Sequence, residues 1–274
     1  MEKLLLHTFA EELKVRPEEH PALLSESPFA PKAHREKLTE VMFETFNVPA
    51  LHAANPAVLG LSAYGRQTGL VVGSGEGASY AMAVYEGYSL PHTAIRLDLA
   101  GSHLTSYLMK MLKESGHSSQ FLNDPQIVRD MKEKMCYVGV SLGEETLKSS
   151  AELEGCYKLP DGQVVKLGIE RSKCPEALFA PSLVGCECVG VQECAFSSIM
   201  KSDMDAKREF CSSILLVGGS TMFTGFADRM EREIASRFHP NMRVRVFASP
   251  ERKNYVWVGG SILAARQRAV TEWW

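Results

Sequence analysis

No stretch of roughly eighteen apolar residues interrupts this 274-residue chain, so a membrane-spanning helix is not expected. The early run Leu4-Leu5-Leu6 is too short and too close to Glu2 to be the core of a secretory leader. Cysteine is absent from the first 135 residues and then occurs seven times, at Cys136, Cys156, Cys174, Cys186, Cys188, Cys194 and Cys211. An odd count at uneven spacing fits scattered reduced thiols better than a disulfide framework. Cys186, Cys188 and Cys194 lack both a C-x-x-C knuckle and a nearby histidine, so no metal site is expected there. An excess of one charge is missing too. Thirty Lys and Arg against 33 Asp and Glu leave a formal net charge of −3, which gives no whole-chain attraction to nucleic acid or anionic lipid. The expectation is a soluble intracellular protein whose partners are neither nucleic acids nor membranes.

What is present is an ordinary globular composition, 45% hydrophobic and 23% charged, and at roughly 150 residues per domain the length suggests two lobes with a sizeable core. Leu5, Leu6, Phe9 and Leu13 share one face at helical spacing, predicting a helix over 1–13. Ala22-Leu23-Leu24, set between proline-rich turns, reads as a buried strand. Leu38, Val41, Met42 and Phe46 predict a second helix over 33–46. Asn55-Pro56 is a helix start, because the Asn side chain can cap free N–H groups and Pro at the first helical position loses no hydrogen bond. A strand over 68–72, a glycine turn over 73–77 and a returning strand over 78–85 form a glycine-rich hairpin. Helices are predicted over 104–115 and 125–135, then a hairpin turn at Leu159-Pro160-Asp161-Gly162-Gln163 and a strand over 164–167.

Two further strand-glycine elements follow. Ile214-Leu215-Leu216-Val217 runs into Gly218-Gly219-Ser220-Thr221, and Tyr255-Val256-Trp257-Val258 runs into Gly259-Gly260-Ser261, each ahead of a helical pattern. Glycines there let the backbone approach a ligand, and free N–H groups at a helix start favour an anion such as phosphate. Close strand–helix packing is the plainer use of the same glycines. Together with the hairpin, the two elements favour a nucleotide cleft.

Met42-Phe43-Glu44-Thr45-Phe46-Asn47, Tyr85-Glu86-Gly87-Tyr88-Ser89-Leu90-Pro91-His92 and Arg96-Leu97-Asp98-Leu99-Ala100-Gly101 resemble actin. So do Cys174-Pro175-Glu176-Ala177-Leu178-Phe179 and Val256-Trp257-Val258-Gly259-Gly260-Ser261-Ile262-Leu263-Ala264, and the likeness runs in order along the chain. The resemblance implies an α/β fold of the two-lobed actin and sugar-kinase type, closing on ATP and a divalent cation. It divides the chain into a partial first lobe (1–63 and 255–274), a second-lobe core (64–99 and 187–254) and an outer part of the second lobe (100–186). Met1 matches a point well inside a conventional actin. The first phosphate loop, the opening strands and the small subdomain with the filament-contact loop therefore have no counterpart, and ordinary filament assembly is not expected. The chain also stops at Trp273-Trp274, short of the family's tail.

Residue by residue, the resemblance assigns the second phosphate loop to Gly75-Glu76-Gly77, with Glu76 where the family has Asp, and adds Gly101. It assigns Arg129, Lys132 and Glu133 to the base and ribose, with Gly218, Gly219, Ser220, Met222, Phe223 and Lys253 around them. Without the resemblance, Lys132 and Glu133 would read as the solvated face of an amphipathic helix. The hydrolytic positions are changed. Gly73 stands where an Asp would hold the metal's water shell, Pro56 where a Gln would orient the attacking water, and Tyr80 where a His would assist it. At the hydrophobic cleft used by partner proteins, Ile262 and Leu263 persist but Arg266 and Arg268 follow, so an inserted apolar helix would meet charge.

These readings give a non-catalytic actin-like structural or interaction protein of the cytoplasm and cytoskeleton, with a vestigial site for ATP or ADP, Mg²⁺ held poorly, and cytoskeletal or actin-binding partners. The alternatives are a slow ATPase of the actin type and a nuclear subunit of a chromatin-remodelling complex.

Overall fold

The computed structural model describes residues 1–117 and 119–268, without the side chains of residues 119, 120, 142, 150, 151, 267 and 268. The Arg268 side chain, Trp273 and Trp274 thus lie outside the described residues. The strands are β1 (Ala22–Ser25), β2 (Leu51–Ala54), β3 (Gly69–Ser74), β4 (Ser79–Tyr85), β5 (Tyr88–Ser89), β6 (Ile95–Leu97), β7 (Gly155–Lys158), β8 (Val164–Leu167), β9 (Ile214–Val217) and β10 (Val246–Phe247). The largest sheet runs β10-β9-β3-β4-β5, with β6 also paired to β4. β3 and β4 form the antiparallel hairpin, whereas β9 lies parallel to β3 and β10 parallel to β9.

Two faces of this sheet are buried, which is why its strands read as continuous apolar runs. Leu70, Val72, Ala81, Ala83, Ile214 and Leu216 point into the main core, shared with the Gly101–Glu114, Pro125–Met135, Val191–Met200 and Phe226–Ala235 helices. Val71, Met82, Val84, Leu215 and Val217 point the other way, onto Ala57 and Leu61 of the Pro56–Ala63 helix. Each fully buried Leu or Val contributes about 1.5–3 kcal/mol, so the sheet is the stiff element against which the cleft is built. Asn55 caps the Pro56–Ala63 helix, its Oδ1 accepting from Ala57 N at 2.9 Å, as its position before Pro56 predicts. Asp124 does the same for Pro125–Met135 through Gln126 N. No helix of the described residues is long and apolar enough to cross a membrane.

Several expectations are corrected. The strand Ala22–Ser25 is half-buried, and its parallel partner β2 carries no sequence signal beyond Leu51 and two alanines. The N-terminal helical segment packs Leu5 and Phe9 on Val41, Met42 and Phe46, the Phe9 and Phe46 rings 5.6 Å apart, but leaves Leu6 and Leu13 exposed. The second helix widens at Val41–Thr45, where Phe46 N reaches back five residues to Val41 O, so its end is underwound relative to the 3.6-residue pattern. Gly73 and Ser74 belong to β3 rather than to the turn, which closes between Gly75 and Ala78.

The largest correction lies at 255–258. Tyr255-Val256-Trp257-Val258, rich in β-branched and aromatic residues, opens the Tyr255–Arg268 helix instead of forming a strand. Packing on the Pro56–Ala63 helix overrides propensity, and Gly259 makes it possible: a Cβ there would stand 1.7 Å from Leu59 O. Gly259 packs helix on helix, and Gly260 lies against Leu23 and Leu59. Cys186 and Cys188 are joined by a disulfide, correcting the expectation of reduced thiols for this pair, whose Cα atoms lie 5.4 Å apart. The other five cysteines are free, four of them buried.

Candidate functional site

A cavity of about 420 Å³ opens where four segments meet. Gly75 and Glu76 of the hairpin turn form one wall, and Arg129, Lys132 and Glu133 of the Pro125–Met135 helix another. Gly219, Ser220, Met222 and Phe223 follow β9 on a third side, and Lys253 and Asn254 close the fourth. The structure thus brings together ten of the residues singled out from the sequence. Gly77 is exposed beside the cavity, while Gly101 and Gly218 stand behind its walls.

Backbone ties hold the turn in place. Gly75 O accepts from Gly101 N at 3.0 Å and from Ser220 Oγ at 2.7 Å, and Glu76 O accepts from both Ser102 N and Ser102 Oγ at 2.9 Å. Gly218 lies at φ +96°, and a Cβ there would fall 2.3 Å from Ser74 O, so the β9 turn presses directly against the end of β3. Arg252, buried and overlooked in the sequence, clasps the opposite wall. Its guanidinium donates to Thr221 Oγ1, Thr221 O and Ser249 O at 3.2, 2.8 and 2.8 Å. Burial lowers its pKa. Arg252→Met removes these bonds while keeping the stem, and is expected to cost about 2–3 kcal/mol in urea unfolding; a loss below about 0.5 kcal/mol would remove Arg252 from this role.

Charge in the cavity is arranged in opposed pairs. Lys132, which spacing alone would leave on a solvated face, is buried, with Nζ donating to Gly101 O at 2.7 Å and Thr105 Oγ1 at 2.8 Å. Burial lowers its pKa, and the nearby Glu76 charge opposes that shift. Glu133 Oε1 accepts from Arg129 Nε at 3.1 Å, and Lys253 Nζ lies 3.5 Å from Glu133 Oε2. Partial burial pushes the Glu133 carboxyl up, but the Arg129 hydrogen bond and the Lys253 and Arg129 charges outweigh it and hold the carboxyl below its ordinary range. Three cations, a tight glycine turn, a buried aromatic at Phe223 and a flexible Met222 suit an organic anion that carries a flat ring.

Pro56, Gly73 and Tyr80, which the resemblance to actin sets at changed hydrolytic positions, gather at the junction between the Pro56–Ala63 helix and the sheet. Gly73 and Tyr80 are directly opposed in the hairpin register. The Tyr80 ring folds over Gly73, so that a Cβ at 73 would lie 2.4 Å from both Cε1 and Cζ and 2.7 Å from the hydroxyl. The hydroxyl oxygen is shut off from solvent and meets no hydrogen-bond partner among the described residues, and burial raises its pKa. Pro56 sits at the first position of the helix that packs on this face, and Asn55 Nδ2 points at Met82 Sδ from 3.3 Å.

On the Tyr255–Arg268 helix, Ile262 and Leu263 are half-buried and Arg266 is exposed at the same end. The family model for Actin matches residues 1–274, and the chain belongs to the actin family.

Proposed function

We propose that this actin-family chain holds an adenine nucleotide in the cavity without hydrolysing it and serves as a structural or interaction protein of the cytoskeleton in the cytoplasm. The observation that carries this reading is the Tyr80 ring over Gly73: the two side chains that would position metal and water are replaced by a pair that fills the same space with carbon. A phenol whose pKa is raised by burial is no base at neutral pH, and Pro56 has no polar side-chain atom to orient water. Against that loss, the cations around the cavity and the Gly75-Glu76 turn are kept. Arg266 beside Ile262 and Leu263 supports selection of a partner with an acidic rather than an apolar docking segment.

The test is phosphate release from Mg-ATP by purified protein, run beside nucleotide retention through rapid desalting. The expected result is retention with release no faster than in buffer. Release that Lys253→Ala abolishes would make the chain a slow ATPase instead.

A further inference from the structure

We propose that this site takes its nucleotide as the free anion, a nucleoside diphosphate or triphosphate without a divalent cation, with Arg129, Lys132 and Lys253 as its counter-charges. The inference rests on the nucleotide reading above. The family resemblance implies a cation next to the second phosphate loop, and the residues present do not fit one. Mg²⁺ requires oxygen ligands at about 2.0–2.1 Å in near-octahedral array, several of them waters held by carboxylates. Gly73 offers no oxygen, and the Tyr80 ring stands where a side chain at 73 would begin, 2.4 Å from that Cβ position. The hydroxyl that reaches this spot stays protonated because burial raises its pKa, so it is a neutral donor in place of an anionic acceptor.

Neighbouring oxygens are committed elsewhere. Ser74 Oγ and Ser79 Oγ bond each other at 2.7 Å, and Ser79 Oγ donates to Leu99 O at 2.7 Å. Glu133 is held between Arg129 and Lys253, and Glu76 lies in the field of Arg129 and Lys132. A cation at Glu133 would have to compete with the two positive side chains already paired to it, and one at Glu76 would meet the positive field of Arg129 and Lys132. Among the described residues no group of three or more His, Cys, Asp or Glu side chains could hold a metal ion. Phosphate oxygens at the glycine turn would instead meet the positive end of the Gly101–Glu114 helix behind Gly75, with Arg129, Lys132 and Lys253 adding positive charge around the cavity.

The experiment is titration of the full chain with ADP by calorimetry, once with millimolar MgCl₂ and once with EDTA. The dissociation constants are expected to agree within about threefold, or to be tighter in EDTA, because chelated ADP is the wrong species. Binding weaker by about tenfold or more in EDTA overturns the inference and leaves the nucleotide reading intact. No binding in either buffer overturns both. Gly73→Asp combined with Tyr80→His is expected to restore preference for Mg²⁺; a folded double variant that binds ADP equally well in both buffers would place the metal's exclusion elsewhere and overturn the assignment to this pair.

Discussion

Gly259→Ala is expected to destabilise the protein by about 3–5 kcal/mol, at the upper end of single substitutions. The added Cβ would lie 1.7 Å from Leu59 O, 2.5 Å from Leu59 C and 3.0 Å from Leu59 Cα. All three are backbone atoms inside the Pro56–Ala63 helix, and a backbone cannot rotate away as a side chain can. The two helices must separate, which uncovers the buried face of the Pro56–Ala63 helix at Leu59. Gly260→Ala is the internal control. Its Cβ would meet Leu23 Cδ2 at 3.4 Å, an ordinary contact, and Ala in place of Gly improves helix propensity by about 0.8–1.0 kcal/mol. Urea unfolding of both variants tests the idea; equal shifts would mean that the close approach at Gly259 is not what sets the helix spacing.

Gly73→Asp is expected to cost about 3–5 kcal/mol, because it drives a Cβ into the Tyr80 ring and buries a carboxylate beside it. Tyr80→His alone is expected to cost about 1–3 kcal/mol through lost packing, offset in part by removal of the unpartnered hydroxyl. The double variant is expected to be more stable than the sum of these changes by about 1–3 kcal/mol, since the smaller ring vacates the room that the Asp needs. A double-mutant cycle in urea measures this coupling directly. Additive effects would show that the two positions changed independently and that Tyr80 does not guard position 73.

Two walls of the cavity were legible as short motifs, Gly75-Glu76-Gly77 and Gly218-Gly219-Ser220 after an apolar strand, whereas Arg129, Lys132 and Glu133 were reached only through the resemblance to actin, since helical spacing alone leaves Lys132 and Glu133 on a solvated face. Asn254 was one residue from a named position and carried no pattern of its own. Arg252 was hidden for a different reason, since a buried arginine that satisfies carbonyls has no sequence signature until the turns it joins are seen together. The Gly73–Tyr80 pairing depends on hairpin register. Placing the turn at 73–77 instead of 75–78 separates two residues that the ladder sets face to face. At 255–258 the local preference was for a strand, and only contact with a distant helix reversed it. The cysteine count was likewise silent on which two sulfurs meet.

The Lys253–Glu133 pair also governs how a ligand would come and go. It spans the mouth of the cavity between the Arg252–Asn254 turn and the Pro125–Met135 helix, with both side chains about half exposed. Such a pair contributes about 0–1 kcal/mol and weakens further with salt. The walls behind it are fixed by buried bonds from Arg252, Ser220 and Lys132. Exchange of a bound molecule therefore calls for two side chains to swing outward while the walls behind them stay still, so the residence time should follow ionic strength more than temperature-driven opening of the whole cavity.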